Sequence, residues 1–246
     1  MKLAGKTALV TGGSRGIGRG IVLAMAREGA DVAINYRRDD AAARETAEQV
    51  RALGRRAEIY QADVADWPSV ESMFVVAGKA FDGFDVVVAN SGVASRTASV
   101  VDTDPDYWAK VLGVDLNGVF YTCKAAVPRL REQGNIIVIS SIGADLCAPF
   151  GAPYYVAKAG ANALVKVLAK ELAAKRQRVN CIAPGMVASD MGNRLVAALG
   201  EAVVGTIPLG RIGQPEDIGA AAVFLASSDA SFITGKILRI DGGVFM

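Results

Sequence analysis

Tyr154 and Lys158 are the residues of this 246-residue chain best placed to move a proton, and they stand in the stretch Ile139 to Gly160 (ISSIGADLCAPFGAPYYVAKAG). On a helix, residues i and i+4 lie one above the other, so a phenol and an ammonium would share a face. A free phenol, with a pKa near ~10, is a poor base at neutral pH, and an adjacent cation favours its phenolate. Such a tyrosine can pass a proton to or from an alcohol oxygen. Ser141, thirteen residues before Tyr154 and next to Ser140 at the end of an apolar run, is placed to hydrogen-bond the same oxygen. Tyr155 also lies within reach of Lys158, at i+3, so spacing alone does not choose between the two tyrosines.

The chain contains no histidine, which removes Ser-His-Asp hydrolysis and histidine-bearing zinc sites. Three scattered cysteines, Cys123, Cys147 and Cys181, make a poor thiolate set, so neither a metal nor a disulfide framework is expected. Proton transfer falls to Tyr, Lys, Asp, Glu or Cys. The 27 basic and 25 acidic residues leave a charge of +2 with no basic block, which disfavours nucleic acid and anionic membrane as partners. No apolar run approaches the roughly 18 residues of a membrane span, and no signal peptide is visible. A cytoplasmic protein of one domain, residues 1–246, is the expectation. Hydrophobic content of 52% suggests surface buried between subunits as well as in the core.

The elements that must position Tyr154 and Lys158 alternate regularly. Thr7 to Thr11 (TALVT) is a short strand that runs into Gly12-Gly13-Ser14-Arg15-Gly16-Ile17-Gly18 and then a helix. Glycines let backbone N–H groups approach an anion at a helix N-terminus, and a pyrophosphate is the natural occupant. Gly12-x-Ser14-x-Gly16 also matches a hydrolase nucleophile elbow, a reading that fails for want of a histidine base. The second strand, Asp31 to Tyr36, is followed by Arg37-Arg38. An acid at that distance would bind the ribose hydroxyls of NAD, whereas arginine suits a 2′-phosphate, and Arg15 adds a second cation, so the expected cofactor is NADP(H). Asp39 and Asp40 come too late for the ribose and begin the next helix, about 40–53.

Strands follow at Ala57 to Ala62, Asp85 to Ala89, Asn135 to Ile139, Arg178 to Ala183 and Lys236 to Ile240. Between them lie helices from Trp67-Pro68 to about Phe81, from about Pro105 to Arg131, over 153–175, and from Pro215. Asp85 to Ala89 (DVVVA) is the continuous apolar run of a strand buried on both faces, ending in Asn90-Ser91-Gly92. This alternation predicts an α/β fold, a single doubly wound parallel sheet of seven strands with helices on both faces. After Pro184-Gly185 the periodicity weakens, and residues 186–210 form a candidate lid.

Taken together and in order, Thr11-Gly12-x-x-x-Gly16-x-Gly18, Asp63-Val64, Asn90-x-Gly92, Ser141, Tyr154-x-x-x-Lys158 and Pro184-Gly185 resemble the short-chain dehydrogenase/reductase family over essentially the whole chain. The tail RIGQPEDIGAAAVFLASSDASFITGKILRIDGG is similar to that of the family's 3-oxoacyl-[acyl-carrier-protein] reductases and broad-range carbonyl reductases. The resemblance implies a Rossmann fold and a set of roles. Tyr154, not Tyr155, would be the general acid/base, with Lys158 tuning it and binding the nicotinamide ribose, and Ser141 orienting the carbonyl. Asp63, beside Val64, would contact adenine; Asn90 and Gly92 would support the cofactor; Val187 would reach the carboxamide by its backbone, with Ser189 nearby. A homotetramer built on the helices near 105–131 and 153–175 is implied as well.

Three departures from the family pattern stand out. The asparagine that helps hold a proton-relay water falls at Asp115, and a buried carboxylate there would be protonated or would alter the pH optimum. Ala89-Asn90-Ser91-Gly92 replaces the usual Asn-Asn-Ala-Gly, and Ser189 replaces a threonine. The expected reaction is NADPH-dependent reduction of a small-molecule ketone or 3-oxoacyl thioester. Oxidation of a sugar or secondary alcohol, or cofactor binding without turnover, are the alternatives. An apolar substrate group would meet Ile142, Cys147, Phe150, Met186, Met191 and Leu195. An acyl carrier protein as partner would approach Arg129, Arg131, Lys170, Lys175 and Arg176.

Overall fold

A computed structural model describes residues 1–94, 98–199 and 201–245; the side chains of 194–196, 198, 199, 201 and 202 are outside the described set. Seven parallel strands form one sheet in the order β3-β2-β1-β4-β5-β6-β7. They are β1 (Thr7–Val10), β2 (Asp31–Tyr36), β3 (Ala57–Gln61), β4 (Phe84–Ala89), β5 (Leu130–Ile139), β6 (Arg178–Pro184) and β7 (Ile237–Ile240). This is the doubly wound α/β architecture that the alternation predicts. The direction of winding reverses between β1 and β4, whose pairing sets Ala8 beside Val86 and Val10 beside Val88. In such sheets the crevice beyond the strand C-termini at this reversal is where ligands lie.

Alternate side chains of a strand face opposite ways, and β4 shows what that does here. Val87 and Ala89 enter one core with α3 (Trp67–Phe81), α5 (Gly118–Ala126) and α7 (Ala152–Leu172). Val86 and Val88 enter the other with α1 (Gly16–Arg27), α2 (Asp40–Ala52) and α9 (Pro215–Ala226). Both faces of the sheet are therefore covered, which explains why β4 reads as an unbroken apolar run.

Two boundaries differ from the sequence reading. The helix expected over 105–131 is α4 (Pro105–Leu112), a π-helical turn (Gly113–Asn117), α5 and a 3-10 turn (Val127–Arg129). Pro128 cannot continue the ladder of backbone bonds, and Arg131 is drawn into a strand-end ion pair with Asp85 at 2.8 Å. Leu130 pairs with Phe84 and Asn135 with Val86, so residues 131–134 bulge out ahead of the regular part of β5. A short helix, α6 (Gly143–Leu146), also occupies part of the loop after β5. The segment 186–210 holds α8 (Asp190–Leu199) and a 3-10 turn (Glu201–Thr206). No helix among the described residues is long and apolar enough to cross a membrane.

Candidate active site

The glycine turn is built from below by a residue that the strand pattern hides. Asn35, fully buried in β2, accepts the Gly12 N–H at 3.1 Å through Oδ1 and donates through Nδ2 to the carbonyls of Tyr60 and Ala62. A lone amide inside DVAINY was the available signal. On the other side Asn90 donates to the carbonyls of Thr11 and Gly12, and the Thr11 hydroxyl accepts from the N–H groups of Asn90 and Ser91. At Gly18 an added Cβ would lie 2.1 Å from the Gly12 carbonyl oxygen, so the helix can start this close to the turn only with glycine there.

Asp39, Asp66 and Asp104 accept backbone N–H groups at the starts of α2, α3 and α4. The start of α1 has no side-chain cap and no acid in its first turn. Its N–H groups open instead onto a cleft of about 670 Å³. This donor set fits a dinucleotide pyrophosphate.

The cleft brings together Gly12, Ser14, Arg15, Gly16, Ile17, Gly18, Arg37, Arg38, Asp63, Val64 and Asn90 at one end, where Ser189 lies beside Gly16, with Gly92, Asp115, Tyr154 and Lys158 toward the other; Met191 lines it as well. Ser140, Ser91, Val93 and Asp190 also line it, and none of these was singled out from the sequence as a cofactor contact. Arg37 lies 3.5 Å from Asp63 and Arg15 lies 3.3 Å from Asp190, both pairs largely exposed. Pairs of that kind contribute little to stability, so the guanidinium groups are easily redirected to an anionic ligand.

Tyr154 opens α7 behind Gly151 and Pro153. The structure separates the two tyrosines. Tyr154 faces the cleft, with the Lys158 Nζ 5.6 Å from its ring centre. Tyr155 packs its ring against Gly143, where an added Cβ would meet ring carbon Cε1 at 2.7 Å, and burial pushes its phenol pKa up. Lys158 is buried, donates to the Ile139 carbonyl at 3.2 Å and lies 3.1 Å from Asp115 Oδ1. Burial lowers the Lys158 pKa, but the charges of Asp115 and Tyr154 more than offset that and raise it. Burial pushes the Asp115 carboxyl up against the opposing pull of Lys158 and the Val93 N–H.

Several expected residues lie beside this cleft without lining it. Ser141 accepts the Gly143 N–H at 3.0 Å, and among the described residues its own proton is not donated. The Pro184 carbonyl accepts from the Ile142 N–H, and the Gly185 N–H donates to Ile240. Val187 is buried and bridges to Gly213, placing it at the base of the 186–210 segment. Ser189, which does line the cleft, accepts the Gly192 N–H as α8 begins. Ile142 is buried and Met186 half-buried, whereas Cys147 and Phe150 are exposed and take left-handed backbone at φ 45 and 63. The side chain of Leu195 lies outside the described residues. Arg131 is held by Asp85 and the carbonyls of Phe81 and Asp82, which removes it from any basic approach surface.

A family model described as enoyl-(acyl carrier protein) reductase matches residues 12–245. The chain is 39% identical over 243 residues to a 3-oxoacyl-[acyl-carrier-protein] reductase of Staphylococcus aureus, with 98% of each covered. It is 38% identical over 254 residues to an L-rhamnose 1-dehydrogenase (NAD(P)(+)) of Azotobacter vinelandii, covering 100% of this chain and 99% of the relative. A solved short-chain dehydrogenase from Burkholderia cenocepacia J2315 in complex with NADP superposes with a TM-score of 0.93 at 34% identity, over 99% of both chains. The matched span takes in both the glycine turn and the Tyr154 helix.

Proposed function

The chain belongs to the short-chain dehydrogenase/reductase family of oxidoreductases, and from that premise we propose that it reduces a ketone to a secondary alcohol with NADPH. The observation that carries this reading is the single cleft that joins the glycine turn and Arg37 at one end to Tyr154 and Lys158 at the other. When bound, the cofactor supplies a hydride to the carbonyl carbon. The N–H groups at the start of α1 would hold its pyrophosphate, Arg37 and Arg15 its 2′-phosphate, Asp63 its adenine and Lys158 its nicotinamide ribose.

Tyr154 gives its proton to the carbonyl oxygen, and the Lys158 ammonium stabilises the charge left on the phenol. Ser141, whose Oγ already accepts from Gly143, has its hydroxyl proton free to donate to the same oxygen and fix its direction. The 186–210 segment acts as a lid over this end, and Ile142, Cys147, Phe150, Met186 and Met191 supply its apolar contacts. The protein's part is orientation and a positioned proton.

A 3-oxoacyl thioester is the favoured substrate class, supported by the Staphylococcus relative; the loss of Arg131 leaves Arg129, Lys170, Lys175 and Arg176 as the approach for an acyl carrier protein. A second reading, sugar or secondary-alcohol oxidation, is favoured by the rhamnose dehydrogenase. The discriminating experiment is a panel of acetoacetyl thioesters, aryl ketones and L-rhamnose in both directions, with NADPH and NADH. Highest kcat/KM for a thioester with NADPH is expected. Preference for the sugar would move the assignment to the second reading, and cofactor binding without turnover on any member would support a non-catalytic role.

A further inference from the structure

Asp115 is a carboxylate with no exposure, set at the floor of the cleft by the π-helical turn between α4 and α5. Both of its oxygens are engaged. Oδ2 accepts the Val93 N–H at 3.0 Å from the loop after β4, and Oδ1 lies 3.1 Å from the Lys158 ammonium. Gly92 leaves the room for this contact, since a Cβ there would lie 2.7 Å from Oδ1. A π-turn adds one residue to the helical repeat and is a recurrent device for turning a side chain toward a functional site.

The consequence follows from counting charges. With Asp115 ionised, Lys158 charged and Tyr154 protonated, the cluster is neutral, and losing one proton leaves it at minus one in a site shielded from water. With an uncharged residue at position 115 the same loss leaves the cluster neutral. We infer that Asp115 is a positioning residue that cancels the Lys158 charge and so keeps the Tyr154–Lys158 pair protonated to higher pH, holding the cleft in the form that donates a proton to a carbonyl.

The inference rests on Tyr154 as proton donor. The groups that face the pair bear it out. On α7 these are Tyr154 and Lys158 themselves; from β5 comes the Ile139 carbonyl and from the β4 loop the Val93 N–H, neither of them ionisable. On β6, Cys181 is pushed up to about 12 by burial and stays a neutral thiol. Among these groups Asp115 is the carboxylate that faces the Lys158 ammonium, at 3.1 Å. The reaction's equilibrium is untouched; what changes is the pH range over which each direction runs.

The test is kcat against pH at saturating NADPH and ethyl 4-chloroacetoacetate, and at saturating NADP+ with the alcohol product, for the native chain, Asp115→Asn and Tyr154→Phe. Asparagine keeps an acceptor for the Val93 N–H and drops only the charge. In Asp115→Asn the alkaline limb of reduction is expected to move about one unit toward lower pH. Oxidation at neutral pH should rise several-fold relative to reduction. Should Asp115→Asn melt below the assay temperature, Asp115→Ser, uncharged and able to accept the same N–H, takes its place. A limb that stays where it was in a variant with turnover overturns the inference alone. Absence of turnover by the native chain, or native turnover by Tyr154→Phe, overturns the reading beneath it as well.

Discussion

Gly92→Ala is a perturbation of one methyl group that reaches the centre of the site. The added carbon would sit 2.7 Å from Asp115 Oδ1, 3.4 Å from Lys158 Nζ and 3.8 Å from Asp115 Cγ. Gly92 does not hold a left-handed backbone, so alanine is not strained there for conformational reasons, and it restricts the unfolded chain by about 0.4–1 kcal/mol in favour of folding. Against this, Asp115 has nowhere to go: it is wholly buried and both oxygens are bonded. Overpacking of this kind costs about 1–3 kcal/mol, and breaking a buried pair outright costs about 3–5 kcal/mol. A net loss of about 2 kcal/mol is expected, equivalent to a fall in Tm of about 4–8 °C for a chain of this length. The assay is a thermal melt of four proteins: native, Gly92→Ala, Asp115→Ala and the double variant. With the carboxylate gone the methyl group meets nothing within 3.0 Å but the free space it left, so Gly92→Ala should cost less than about 0.5 kcal/mol in that background. Equal losses in both backgrounds, or no loss in the native one, would refute the packing on which Asp115 has been assigned its place.

Other perturbations address separate parts of the account. Arg37→Asp should lower the preference for NADPH over NADH about 10- to 100-fold, the worth of one or two charge-assisted hydrogen bonds, measured as the ratio of kcat/KM values. Burial raises the Asp85 carboxyl pKa, but Lys6, the Thr7 N–H and Arg131 more than reverse that and hold it below the usual carboxylate range. Its stabilisation is therefore present above the unfolded value near ~3.9 and is lost as pH falls through the lower folded value. Asp85→Asn should cost about 3 kcal/mol at pH 7 and progressively less below pH ~4, read from denaturation midpoints across pH. Phe120 on α5 and Val156 and Val167 on α7 are large apolar side chains left exposed, and light scattering should find a particle of four chains; a monomer at micromolar concentration would reject assembly through these helices.

Much of the fold was open to reading because its signals are local. Strand and helix periods alternate cleanly, and a run such as Asp85 to Ala89 has no polar face because both sides of β4 meet helices. The glycine turn carries its own steric reason, as Gly18 shows. What escaped depends on contacts distant in the chain. The π-helical turn at Gly113–Asn117 leaves no periodic mark, since one extra residue in a long apolar stretch looks like a continuous helix. Asn35 is one polar residue in an apolar strand, and its task appears only when β1, β2 and β3 lie side by side. The spacing left Tyr154 and Tyr155 equivalent toward Lys158; the glycine at position 143, twelve residues before Tyr155, is what gives Tyr155 its packing site and leaves Tyr154 to the cleft. Asp115 was noticed as a departure from a family pattern, but its direct pairing with Lys158 required the two helices to be brought together.

The central claim is that the phenol of Tyr154 delivers the proton that accompanies reduction of a ketone. It is tested most directly by following NADPH consumption with an activated ketone in Tyr154→Phe, alongside cofactor titration. The account predicts a fall in kcat of about 10²- to 10⁴-fold with NADPH affinity within a few-fold of native, because the substitution removes one hydroxyl and leaves Lys158 and the glycine turn in place. Turnover close to that of the native chain would contradict it.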